Sequence, residues 1–552
     1  MSRFILLAPW LAALPSVCLA QVAEHWDRSV VDLESHAVEV FSDGDSLLAS
    51  ESSHLGPNGR DIVLQRFDSQ GTLKWEFIYD GPQHNNDLIA DLAIDDNGTT
   101  YLLGRDSNGA NGQFVLLAID SSGATSWEAT HSISLPHLFT PSLAVDTGLN
   151  VTVSSQLGDE AWIGRYAPDG TLVWEATLDV FGSDTTGASD VAVASNGISY
   201  LAGFKPTGVS AWFMAAYDPN GTHLWTRTES GVVNVFPPAH AVADEFGNGF
   251  LIGSSESAFG RFEMRAVKYL PDGTEVWNTA YPGNSFLNTH LIDAAAVTGG
   301  DLILAGHGYT PSVSSGIDYL ALRLRGSDGA ISWFQYFNGP ASGGDSVYDL
   351  EVDAAGRAYV TGNTDALPTT RDTTTVAYDV DGTLLWSRTR SEDLISPTLG
   401  VGAHGDLVTA SRGWIGTPSL LVRYHAEIGT SYCVANSNST GSAGAIEAFG
   451  SEALQVGDLR LVASPVPDQM GLFFYGLNAN QVPFGHGFQC VTGGLVRLGP
   501  PTVATGGVAL RDVSIPGSGI SVGVSRFQYW HRDPSAGPPG FNTSDGLRLE
   551  FH

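Results

Sequence analysis

The chain has 552 residues, 59 acidic and 26 basic, for a formal net charge of −33 at pH 7 on a composition only 15% charged. Such an excess of acid repels phosphate backbones and anionic lipid, which argues against nucleic acid and membrane surfaces as partners and favours cations. After the first residues no apolar run approaches the roughly 18 residues that a membrane-spanning helix needs.

Residues 1–20, MSRFILLAPWLAALPSVCLA, join one basic residue to an apolar run and a small residue before Gln21, the pattern of a secretory signal peptide. The expected location is therefore secreted or cell-surface. Cys18 follows Pro-Ser-Val, a poor context for lipid attachment. Next comes His25-Trp26-Asp27-Arg28-Ser29, which resembles Trp386-Ser387-Arg388-Thr389 and precedes Trp75 by 49 residues.

From there one phrase recurs seven times: FDSQGTLKW ending at Trp75, IDSSGATSW at Trp127, YAPDGTLVW at Trp174, YDPNGTHLW at Trp225, YLPDGTEVW at Trp277, RGSDGAISW at Trp333 and YDVDGTLLW at Trp386. The intervals are 52, 47, 51, 52, 56 and 53 residues, a period typical of β-propeller blades. A glycine stands four residues before each tryptophan, after Ser, Asn, Gln or Asp, as a tight hairpin with positive φ requires. A second turn lies upstream, as in Asp91 to Gly104, Asp190 to Gly203 and Asp349 to Gly362, so each unit reads as a four-stranded blade. The tryptophan is expected to wedge between neighbouring blades, where one large flat ring buries much apolar area.

After Trp386 the region Pro397 to His425 supplies three more strand-like runs and no tryptophan strand. The Trp26 segment fits that gap. The expected fold is all-β: an eight-bladed β-propeller closed by the N-terminal strand, with seven blades as the alternative, followed by a small C-terminal β-sandwich. The domain ranges are 1–20, 21–428 and 429–552. After signal removal only Cys433 and Cys490 remain, and in an oxidising compartment they are expected to form one disulfide within the last domain.

Val352 to Thr370, VDAAGRAYVTGNTDALPTT, resembles the SBBP propeller repeat of secreted bacterial proteins, and the DxxGxxxW endings are similar to PQQ-like repeats. These resemblances imply architecture rather than activity. Quinoprotein dehydrogenases place a vicinal disulfide above their quinone, and this propeller has no cysteine to form one; their motif also carries one more residue between Asp and Trp than Asp120 to Trp127 does. The stretches YCVANSNSTGSAGAI, MGLFFYG, PFGHGFQC and QYWHRDPSAGPPGFNTSDGLRLEF resemble a C-terminal module of large secreted proteins from environmental bacteria, one that implies no established activity.

Aligning the first strand of each unit gives the column Ala37, Asp91, Ser142, Asp190, His240, Asp293, Asp349 and Thr398. First strands line a propeller channel, so Asp91, Asp190, His240, Asp293 and Asp349 are the candidate ligand-binding residues. They would hold a hydrated cation or polar ligand, or else bond the backbone of adjacent blades. The Asp379-Val380-Asp381-Gly382 turn lacks the further acids of an EF-hand, and no histidine spacing signals zinc. No cofactor and no catalytic set is expected, with calcium the one cation in view. Aromatics gather late, at Phe473, Phe474, Tyr475, Phe484, Phe488, Phe527, Tyr529 and Trp530; strand alternation sends Phe527 and Tyr529 to one face and Trp530 to the other. Arg532-Asp533-Pro534 reads as an ion-paired turn.

The expected function is a monomeric, non-enzymatic scaffold or binding protein for a protein or polysaccharide partner, its last domain serving attachment or sorting. The alternative is a secreted enzyme or binding protein acting on polysaccharide, with its site at the channel mouth.

Overall fold

The computed structural model describes residues 23–551, except 32, 53–58, 83, 107–112, 133–140, 207–210, 231–238, 257–260, 282–287, 310–315, 340–342, 368–369, 392–393, 403–406, 414–417, 426, 450–453, 455–458, 514 and 516–517. The proposed signal peptide lies outside the described residues.

The chain is all-β, built of four-stranded antiparallel sheets in the manner of a β-propeller. Among the described residues up to His425 there are eight such sheets. Seven are simple meanders. The first runs Leu33–Val40, Ser46–Ser52, Ile62–Phe67 and Leu73–Tyr79; the second to seventh begin at Asp87–Ile94, Ser142–Val145, Gly187–Val193, His240–Ala243, Thr289–Val297 and Asp345–Val352. The eighth joins Leu394–Val401, Leu407–Gly413 and Ser419–His425 to Ala23–Val30, with Ala23 opposite His425 and Val30 opposite Ser419.

Burial explains the sequence pattern of each unit. Middle strands such as Ile62–Phe67 and Ser199–Phe204 are buried along their whole length, since neighbouring sheets cover both faces, and their burial shows no alternation; in the first of them the buried Arg66 is paired with Asp43 and Asp45. The tryptophan strands lie outermost and alternate, as Leu172–Leu178 does.

The glycine phrase forms the turn before each outer strand. In the first sheet the Asp68 N–H donates to the Thr72 carbonyl at 2.9 Å and the Gly71 N–H to the Asp68 carbonyl at 2.8 Å. The glycines take φ from +69° to +86°. Their missing side chains have a second use. A Cβ on Gly71, Gly123, Gly170, Gly221, Gly273, Gly329 or Gly382 would come within 2.9 Å of the indole of Trp26, Trp75, Trp127, Trp174, Trp225, Trp277 or Trp333, each on the preceding sheet. Each of these indoles also donates its Nε1–H to a carbonyl of the turn it covers: Ser69, Ser121, Pro168, Pro219, Pro271, Gly326 and Val380, at 2.8 to 3.0 Å.

Trp26 therefore sits on the first sheet as the later tryptophans sit on theirs. Trp386 has no glycine turn to cover, because the strands it faces, Ser419–His425 and Ala23–Val30, are not consecutive in the chain and no hairpin joins them. It packs instead with Tyr359, Leu394 and Leu399. An ion pair from Arg390 to Asp27 at 3.3 Å and a hydrogen bond from the Ser419 hydroxyl to the Leu33 carbonyl at 2.7 Å tie the eighth sheet to its neighbours.

Past Glu427 two further sheets share one core. The first contains Ala445–Phe449, Arg460–Ser464 and Ala509–Asp512; the second contains Met470–Gly476, Gly523–Arg532 and Leu547–Phe551. Ile446, Leu461, Phe473, Phe527, Tyr529 and Leu549 meet in that core. Cys433 is disulfide-bonded to Cys490. Gln528, fully buried, anchors the second cysteine: its Oε1 accepts from the Cys490 N–H at 2.9 Å, and its amide nitrogen donates to the Phe488 and Ser544 carbonyls.

Candidate functional site

Four members of the aligned first-strand column, Ala37, Asp91, Asp349 and Thr398, line a cavity of about 330 Å³ together with His36, Glu39, Tyr348 and Glu351, whereas Asp190, His240 and Asp293 are not among its lining residues. A local irregularity aims the aspartates. Pairing registers shift between Ile89 and Asp91, Ala188 and Asp190, Leu291 and Asp293, and Val347 and Asp349. Each is a β-bulge, whose extra residue turns the following side chain toward the neighbouring sheet.

There the carboxylates bridge. Asp91 accepts the Leu92 N–H at 2.8 Å with Oδ1 and the Leu143 N–H of the third sheet at 2.8 Å with Oδ2. Asp190 accepts the Val191 N–H, the Ser142 hydroxyl at 2.8 Å and the Ala241 N–H of the fifth sheet at 3.0 Å, with His240 Nδ1 3.6 Å away. Asp349 accepts the Leu350 N–H at 2.9 Å and the Leu399 N–H of the eighth sheet at 2.8 Å. Asp293 accepts the Ala294 N–H at 2.7 Å and is stabilised by the Leu350 N–H of the seventh sheet.

Burial sets the electrostatics of the cavity. It pushes Asp91 up to about 6, against the Leu143 and Leu92 N–H groups, and Asp349 up to about 8 with the Asp293 charge adding to it. Asp293 is raised for the same reason. Burial alone would lower His240, but the Asp190 and Asp293 carboxylates more than offset it and its pKa is raised.

Two acids escaped the column. Burial and the Asp91 charge raise Glu39 to about 7, and burial with the Glu39 and Asp349 charges holds Glu351 well above the carboxylate range. Each stands two residues beyond its column position, after Ala37 and Asp349, so the period of two was the signal that would have found them.

The Asp379 turn is held by its own acids: the Val380 N–H bonds Asp379 and the Thr383 N–H bonds Asp381.

A second cavity, of about 560 Å³, lies in the C-terminal region between Leu472, Phe474, Phe484, Leu495, Trp530 and Phe541, with Gln489 and Arg497 as its polar groups. The strand alternation behind it holds. Phe527 and Tyr529 are fully buried in the core, while Trp530 turns to the other face and meets Phe541 at a 5.8 Å ring separation; Phe484 meets Phe541 at 5.0 Å. In the Arg532-Asp533-Pro534 stretch, read as an ion-paired turn, the Asp533 carboxylate is bonded by backbone. Asp533 is fully buried and accepts the Ser439 N–H at 2.9 Å, because the turn folds inward against the 437–441 loop.

No family model and no curated protein matches the chain. The SBBP, PQQ-like and C-terminal-module resemblances therefore rest on the short stretches that carry them. Solved structures that match include Sqt1 from Chaetomium thermophilum, at 11% identity over 73% of this chain and 99% of that one, TM-score 0.44. A quinohemoprotein alcohol dehydrogenase from Pseudomonas putida matches at 12% over 73% and 76%, TM-score 0.41. The WD40 domain of SCAP from fission yeast matches at 12% over 72% and 97%, TM-score 0.40. Likeness at this level carries no functional argument; the propeller reading rests on strand order and on the tryptophan joints.

Proposed function

We propose that this protein is an exported, non-enzymatic binding scaffold. In this reading an eight-bladed ring, closed by the Trp26 strand, carries a C-terminal β-sandwich that holds a protein partner. The observation that carries it is the cavity between Leu472, Phe474, Phe484, Leu495, Trp530 and Phe541. Its size and mostly apolar lining, with few polar groups, suit an inserted aromatic or aliphatic side chain. A polysaccharide fits it less well, since sugar hydroxyls would lose water against Leu472, Phe474 and Leu495 without gaining partners. Arg497 at the rim favours an acidic neighbour in the bound segment.

The channel acids support the scaffold half. Carboxylates that bridge to Leu143, Ala241 and Leu399 are acting as joints between sheets.

The second reading, a polysaccharide site in the channel, draws on Glu39, Asp349 and Glu351, whose raised pKa values keep protons available around a cavity of about 330 Å³. One experiment separates the two. The full chain and its Trp530→Ala and Glu351→Gln variants are tested for retention on isolated cell envelopes, on protease-stripped envelopes and on a polysaccharide panel. Retention abolished by stripping and by Trp530→Ala supports the protein-binding reading; glycan retention or cleavage lost in Glu351→Gln overturns it in favour of the channel.

A further inference from the structure

One rung of the sixth sheet sets two histidines opposite each other. His290, on Thr289–Val297, pairs directly with His307, on Asp301–Tyr309, so both side chains leave the same face of the ladder. Their separation in the chain forms no local motif, and only the strand register joins them. The ring centres lie 5.5 Å apart at an interplanar angle of 40°. The pair is singular. On the equivalent rung, three residues before the channel aspartate, the second, fourth and seventh sheets pair Leu88 with Arg105, Gly187 with Phe204 and Ser346 with Asn363. The repeated fold therefore does not call for histidine there.

Nδ1 of His307 is buried without a hydrogen-bond partner, and among the described residues no hydrogen bond or ion pair reaches either ring. Buried polar atoms are ordinarily bonded, and an unmet one calls for a water or an ion. Burial lowers the pKa of both rings, that of His307 to about 4 with the His290 charge adding to the shift. Both are thus neutral at pH 7, the form in which imidazole ligates a metal. The segment carrying His290 is held in place beforehand. Phe262 of the fifth sheet packs on its ring at 4.8 Å, Asn288 Oδ1 accepts the Phe262 N–H at 3.1 Å, and the Thr289 hydroxyl accepts the Met264 N–H at 3.2 Å. Both histidines are only partly buried, which leaves a path from solvent.

The ring separation selects among the metals that imidazole suits, zinc, copper and nickel. A Zn–N bond of about 2.0–2.1 Å puts each ring centre about 3.2 Å from the ion, so a tetrahedral angle sets two centres about 5.2 Å apart and the right angle of a square-planar ion about 4.5 Å. The observed 5.5 Å lies on the tetrahedral side. We propose that His290 and His307 chelate one zinc ion, with water completing the tetrahedron, and that the ion clips the first two strands of the sixth sheet together.

The test sets the chelator-treated full chain against a chromophoric chelator for zinc, as wild type and as His290→Gln and His307→Gln, with circular dichroism checking each fold. The wild-type chain should bind one zinc equivalent that each variant binds at least tenfold more weakly, the least loss expected when a ligand goes, since even an outer partner of a ligand is worth about that much. A second measurement needs no variant. Acylation of the wild-type chain by diethyl pyrocarbonate, mapped by mass spectrometry, should fall at His290 on adding one equivalent of zinc and stay unchanged at the exposed His223. Equal zinc affinity and stoichiometry in the three chains, or acylation of His290 indifferent to zinc, would each overturn the proposal.

Discussion

Replacing Gly221 by alanine puts two costs on one atom. Gly221 lies at φ +85°, and a Cβ there would stand 2.7 Å from Cγ and Cδ2 of Trp174. The left-handed backbone costs a residue with a Cβ about 1–2 kcal/mol. Displacing the indole adds about 1–3 kcal/mol, the usual range for overpacking. The ring cannot yield freely, because its Nε1–H is bonded to the Pro219 carbonyl at 3.0 Å and its face lies against Tyr217 at 5.8 Å. Gly158→Ala supplies the control: φ is +62° and nothing lies within 4 Å of the added carbon, so only the backbone cost applies. Urea unfolding of the wild-type and two variant chains by far-ultraviolet circular dichroism should show Gly221→Ala the more destabilised, by about 1–3 kcal/mol. Equal midpoint shifts would refute the claim that turn and indole form one joint.

Acidity should stabilise the ring over part of the pH range. Asp91, Glu39 and Asp349 have folded-state pKa values of about 6, 7 and 8, above their ordinary values, so the folded chain binds more protons than the unfolded one between about pH 4 and 8. Stability is full below that window and falls as pH rises through it; Asp349→Asn should flatten the fall, and an unchanged slope in denaturation midpoints against pH would contradict the assignment. Opening the Cys433–Cys490 bond releases a loop with a sequence separation of 57, worth about 4 kcal/mol of chain entropy. A Cys433→Ser, Cys490→Ser double variant should therefore lose C-terminal structure at lower urea while the tryptophan sheets keep their midpoint, as tracked by hydrogen exchange.

Repetition made the propeller legible. A turn that needs Gly71 for φ and again for the Trp26 ring leaves the same two letters in each unit, and the lack of a fourth, tryptophan strand in the run from Pro397 to His425 pointed to the strand around Trp26. The channel column was legible as a column, but its chemistry was not. Whether Asp91 meets a ligand or the Leu143 N–H depends on a bulge at the preceding residue, and a bulge inserts no recognisable residue type. Glu39 and Glu351 were missed because they do not recur: the other sheets place Ala, Val or Gly at that level, and a search for repeats passes over singular acids. The aromatic cavity was half visible, since alternation separates Trp530 from Tyr529 while only the fold brings Phe484 and Phe541 beside it.

Pairing of Ala23–Val30 with Ser419–His425 also fixes an order of events during synthesis. Ser419–His425 is made some 400 residues after its partner. At about 5–20 residues per second the wait is about 20–80 s. Through that interval the Ala23–Val30 strand has open backbone donors and acceptors while seven meanders assemble beside it, so it is exposed to pairing with the wrong neighbour until Ser419–His425 is made.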